Sequence, residues 1–116
     1  MKSIRFRVYF NRRKQWFDVF VSDNARRFMA RDKCYAYYQP ARDRRARKGL
    51  FGEIHLSRMG NGLVAHELLH LLIDWVQSGR GGVINARNEE RIVIMFGEMV
   101  RNFWRLYYAE EKKITI

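Results

Sequence analysis

Cys34 is the one cysteine in 116 residues, so no internal disulfide can form and packing alone must hold the fold. That scarcity fits a reducing compartment, and the expected localisation is cytoplasmic. Long apolar runs are missing too. The first ten residues interleave charges with Ile4, Phe6, Val8 and Phe10, which leaves no signal-peptide core. The most apolar later stretch is broken by His70 and Asp74, short of the roughly 20 residues a membrane span needs. A soluble chain with no membrane partner is expected. The length admits one domain, residues 1–116, and excludes a TIM barrel or a two-lobed dinucleotide enzyme. Acidic residues are few: 12 Asp plus Glu face 23 Lys plus Arg, a formal charge of +11, and 17 of the cations are arginine. Arginine forks onto phosphate or carboxylate, so an acidic partner is expected.

What is present is enough to fold. Hydrophobic residues are 47% of the chain and aromatics 15%, which excludes wholesale disorder. Residues 3–10 alternate with the period of a half-buried strand, residues 11–14 turn the chain, and residues 16–21 return as a hairpin partner. Ser22 and Asp23 offer N-cap chemistry for a short helix at residues 24–32. A strand is expected at residues 34–38, stopped by Pro40. Residues 41–48 carry Arg42, Arg44, Arg45, Arg47 and Lys48 against Asp43 alone, and read as an exposed loop or arm for DNA or RNA.

Alternation resumes over residues 51–57, giving a further strand. Residues 63–77 have helical length and end in Ser78, Gly79, Arg80, Gly81 and Gly82, a run no helix continues through. A second long helix spans residues 86–110, with a β-leaning tail at Ile114, Thr115 and Ile116. Strands first and helices last make the chain α+β.

The first long helix carries His66-Glu67-Leu68-Leu69-His70. A four-residue spacing sets the two imidazoles about 40° apart, one turn from each other, where they can hold one ion. Zinc accepts neutral imidazole nitrogen, and a catalytic site leaves one position to water, from which Glu67 would take the proton. A shuffled chain of this composition would show the pattern about three times per thousand, so chance is disfavoured. On a helical wheel His66, Glu67, His70, Asp74 and Gln77 form one polar stripe and apolar residues fill the rest, so a helix buried almost all round is expected. On the second helix Ile92, Val93, Phe96, Met99, Val100, Phe103 and Tyr107 form an apolar stripe with Glu89 at its centre. A carboxylate there is costly unless a cation compensates it, which makes Glu89 the candidate third ligand; the alternative is a first-turn acid complementing the helix dipole.

His66-Glu67-x-x-His70, eighteen further residues and then Glu89, itself preceded by Asn88, resemble the gluzincin clan of zinc metallopeptidases, and most of all the minigluzincins and small phage-type zinc peptidase-like proteins. The resemblance implies a small zincin-like fold of about four strands, a peptide or protein substrate, and zinc held by His66, His70 and Glu89. It also implies that Asp74 orients a zinc histidine. Residues 51–57 are similar to the edge strand above the cleft, where Glu53, Ile54, His55 and Leu56 would add an extended substrate as a strand. Where the clan uses Tyr or His to stabilise the transition state, Tyr107, Tyr108 and His55 are the candidates. Small relatives of this kind are held latent by terminal segments, and residues 112–116 could pair with that edge. The position four after Glu89 is Val93, not the acid common in the clan. SprT-like proteases, which act on proteins attached to DNA, share the motif but use a third histidine, so Glu89 favours the gluzincin side. The rival class is a basic nucleic-acid-binding or phage regulatory protein with a structural or vestigial zinc site.

Overall fold

A computed structural model describes residues 3–22, 35–79 and 83–115; the helix expected at residues 24–32, Cys34 and Ile116 lie outside the described residues. The architecture is α+β. Four strands, β1 (Ser3–Phe10), β2 (Gln15–Ser22), β3 (Ala36–Pro40) and β4 (Leu50–Leu56), precede two helices, α1 (Asn61–Gly79) and α2 (Glu89–Thr115). Among the described residues no helix is long and apolar enough to cross a membrane.

The strands form one mixed sheet in the order β1-β2-β4-β3. β1 and β2 make the expected antiparallel hairpin, from Ser3 opposite Ser22 to Phe10 opposite Gln15. β4 then enters parallel to β2, and β3 closes the other side antiparallel to β4. β4 is therefore an interior strand, and among the described residues the edge beside it is β3. This corrects the expectation that residues 51–57 form the edge.

Alternation decides which face is buried. Ile4, Phe6, Val8 and Phe10 of β1 share the inner face with Phe17 and Val19 of β2, Ile54 and Leu56 of β4, and Ala36 of β3. α1 covers the β3 and β4 half of that face, and α2 packs mainly on β1. Leu68 and Leu71 of α1 and Met99 and Phe103 of α2 close the core, with Phe103 edge-on to Phe6 at 5.2 Å. Burying a side chain of this size contributes about 1.5–3 kcal/mol.

The outer face carries the alternate residues. Phe20, His55 and Tyr37 stack across β2, β4 and β3 with centroids 4.8 and 4.6 Å apart, and Arg5 caps the row over Phe20 at 5.0 Å. Asp18, buried on this face, accepts from Arg7 Nε at 2.9 Å.

Each helix departs from expectation in one respect. α1 is buried on one side only: Val64, Leu68, Leu71 and Leu72 are buried, whereas Leu69 and Ile73 are each 46% exposed. The wheel assumed cover all round, but among the described elements α1 packs most on β3 and only locally on β4 and α2, so one side stays open. α2 runs on to Thr115, so residues 112–115 are helical rather than a strand-forming tail. Lys113 pairs with Glu110 at 2.9 Å, and Lys112 and Lys113 occupy the last turn, where cations complement the helix dipole.

Candidate metal centre

α1 opens after Gly60, whose carbonyl accepts from Val64 N at 3.0 Å, and its second and third turns carry the motif beside the edge strand. Tyr35, Ala36, Tyr37 and Tyr38 form one wall of an open groove of about 580 Å³; Gly62, Leu63, His66, Glu67 and His70 form the other. His66 and His70 are exposed to it, and Glu67, which also lines it, is buried.

The two imidazoles converge. His66 Nε2 and His70 Nε2 lie 3.1 Å apart, with ring planes at 73°. Two nitrogens bound at 2.0–2.1 Å to one tetrahedral ion are separated by about 3.3 Å, so the pair has the bite that such an ion needs. One donor atom each of His66, Glu67 and His70 falls within 4.8 Å of the others, the one such group of His, Cys, Asp and Glu among the described residues. Burial raises the Glu67 carboxyl above the ordinary carboxylate range, and the neighbouring His66 and His70 hold part of that rise back.

Glu89 is not brought to this group. It is exposed in the first turn of α2, and its amide donates to the Asn85 carbonyl at 2.9 Å. The stripe of α2 starts at Ile92, and Val93 is 57% exposed, so Glu89 stands before the helix reaches the sheet. Asn88 works locally: its Oδ1 accepts from Asn85 N at 2.8 Å and its Nδ2 donates to the Val83 carbonyl at 2.9 Å. Glu89 and Glu90 thus occupy the dipole-complementing position, the alternative weighed for Glu89.

Three other assignments move. Asp74 accepts from the Tyr38 hydroxyl at 2.6 Å and has Arg42 at 4.0 Å, so its carboxylate ties α1 to the edge strand rather than to a histidine. Burial and that bond together push the Tyr38 hydroxyl far above its ordinary range. Tyr107 packs 6.4 Å from Phe6 on β1, at the opposite edge of the sheet, with Tyr108 beside it; neither lines the groove. Among Glu53, Ile54, His55 and Leu56, Ile54 and Leu56 are core, and both backbone edges of the segment are paired. Glu53 and His55 point to the outer face, where Glu53 holds Arg45 at 3.1 Å and His55 at 3.2 Å. Groove residues that sequence reasoning missed are Tyr35, Tyr37 and Tyr38; the signal was their place on a short Tyr-rich strand beside the motif helix.

Searches against protein-family models, curated proteins and solved structures find no match to this chain. Its own geometry carries the functional argument.

Proposed function

We propose that the chain is a metal-dependent hydrolase of peptidase type, with zinc the first candidate ion, His66 and His70 its ligands, and Glu67 the general base. The 3.1 Å approach of the two Nε2 atoms on the wall of an open groove is the observation that carries this reading. When bound, such an ion supplies Lewis acidity that makes water a usable nucleophile near neutral pH and polarises a carbonyl. Glu67 takes the proton from the attacking water and returns it to the leaving amine, and its burial suits it to hold that proton in between. Strand addition of an extended substrate falls to β3, which has β4 on one side and the groove on the other. With Glu89 away from the group, ion affinity rests on two imidazoles.

The test pairs binding with turnover. Zinc titration against a chromophoric chelator should give one equivalent for the wild type and at least tenfold weaker binding for His66→Ala. Glu67→Ala should keep the ion and lose hydrolysis of an unfolded protein substrate. Cleavage at the wild-type rate by Glu67→Ala would refute the mechanism.

A second reading, a nucleic-acid binder whose metal site is structural or vestigial, is favoured by the exposed 3₁₀ helix Arg44–Lys48. Arg42, Arg44 and Lys48 are exposed there, Arg45 is held by Asp43 and Glu53, and the Arg47 side chain lies outside the description. A steeply salt-dependent DNA shift without peptide cleavage would establish it.

A further inference from the structure

Toward the other end of α1 a separate cleft of about 290 Å³ opens between the β1–β2 turn and the first half of α2. Arg12 and Lys14 line it from the turn and Arg91 from α2. None of these three cations forms an ion pair with a described residue. Like charges gathered around one concavity repel each other, and an anion placed among them relieves that repulsion. The hairpin fixes the turn that presents two of them: the Lys14 amide donates to the Asn11 carbonyl at 3.2 Å, and Asn11, Arg12 and Arg13 have φ of 53°, 57° and 64°, the left-handed backbone that a tight hairpin turn requires.

The rest of the lining is not generic anion chemistry. Trp75 offers an aromatic wall, its Nε1 donating to Gln15 Oε1 at 2.8 Å, and Ile94 and Met95 extend the apolar surface. Glu98 adds one carboxylate. We propose that this cleft binds a nucleotide. Arg12, Lys14 and Arg91 take the phosphate, the base packs against Trp75 with Ile94 and Met95, and Glu98 accepts from the sugar hydroxyls. The volume sits at the small end of ligand pockets, about 300–1,000 Å³, and suits one nucleotide rather than a duplex. The same chemistry is offered by a free mononucleotide and by the 5′-phosphorylated end of a strand.

Calorimetric titration of the full chain with uridine 5′-monophosphate, uridine, inorganic phosphate and a 5′-phosphorylated hexauridylate tests the proposal. The monophosphate should bind at least tenfold tighter than either uridine or phosphate. Arg91→Glu should weaken it at least tenfold. Arg101→Glu, the same charge change on an exposed part of α2, should cost less than twofold, with thermal melts confirming that both fold. Glu98→Gln should weaken the monophosphate and leave phosphate unchanged. Binding of the phosphorylated hexamer tighter than that of the monophosphate assigns the strand end; the reverse assigns the free nucleotide. Equal losses in the two charge variants, phosphate binding as tight as the monophosphate, or no binding at millimolar concentration overturns the proposal. His66→Ala should bind the monophosphate as the wild type does, and a loss there would also overturn the assignment by placing the ligand in the histidine groove.

Discussion

Replacing Glu67 by Gln should stabilise the metal-free protein while abolishing hydrolysis, two effects of opposite sign from one carboxylate. Glu67 is 4% exposed and makes no hydrogen bond with a described residue. Burial raises its carboxyl, against the pull of His66 and His70, so the native state keeps the proton to higher pH than the unfolded chain does. The stability this supplies is fully present below the ordinary carboxylate range and is lost as pH rises through the elevated native value. Glutamine keeps the shape and carries no charge to desolvate. The difference between variant and wild type should be near zero at pH 4. By pH 8 the variant should be the more stable by about 1 kcal/mol at most, because the carboxylate lines the open groove and is partly screened by water there. For a domain of this size that is about 4 °C in Tm per kcal/mol. Urea denaturation with a chelator present, at both pH values, measures it, and the zinc-loaded variant assayed in parallel should hydrolyse about 10²–10⁴-fold more slowly. A variant less stable than wild type at pH 8, or a difference independent of pH, would refute the burial argument.

Gly52→Ala would put a Cβ 2.6 Å from the Tyr38 ring and 2.8 Å from the Gln39 carbonyl, so β3 must shift from β4; a loss of about 1–3 kcal/mol in denaturant titration is expected. Tyr38→Phe removes the 2.6 Å bond to Asp74 and should cost about 1.5–3 kcal/mol, whereas an unchanged midpoint would show that this tie between strand and helix holds nothing. Glu89→Ala should leave zinc affinity within twofold, and a tenfold loss would show that Glu89 reaches the ion after all.

Much of the fold was legible because strand periodicity is local. The alternation of Ile4, Phe6, Val8 and Phe10 marks the inner face directly, and the hairpin follows from two such runs joined by a short polar turn. The order of strands was not legible. β4 reads as an edge because it leads into the motif helix, but its parallel pairing with β2 is a contact between segments far apart in the chain. The candidate site divides in the same way. His66, Glu67 and His70 lie on one helix, so their spacing is enough to bring them together. Glu89 depends on how two helices sit against each other; its helical wheel implied an interface at the motif, whereas α2 packs mainly on β1 and meets α1 only locally. The turn at Asn85 and Asn88 made the same residue look like part of a motif while serving as ordinary helix initiation.

The topology also sets a schedule for synthesis. β1 and β2 can pair once residue 22 has left the ribosome, leaving Phe6, Val8, Phe17 and Val19 open to water until the helices that cover them have emerged. Phe103, which seals Phe6, is about 80 residues further on, roughly 4–16 s of translation at about 5–20 residues per second. A greasy hairpin waits that long beside its siblings on neighbouring ribosomes. Yield in a cell should therefore depend on chaperone supply and translation speed more steeply than the equilibrium stability of the finished protein suggests.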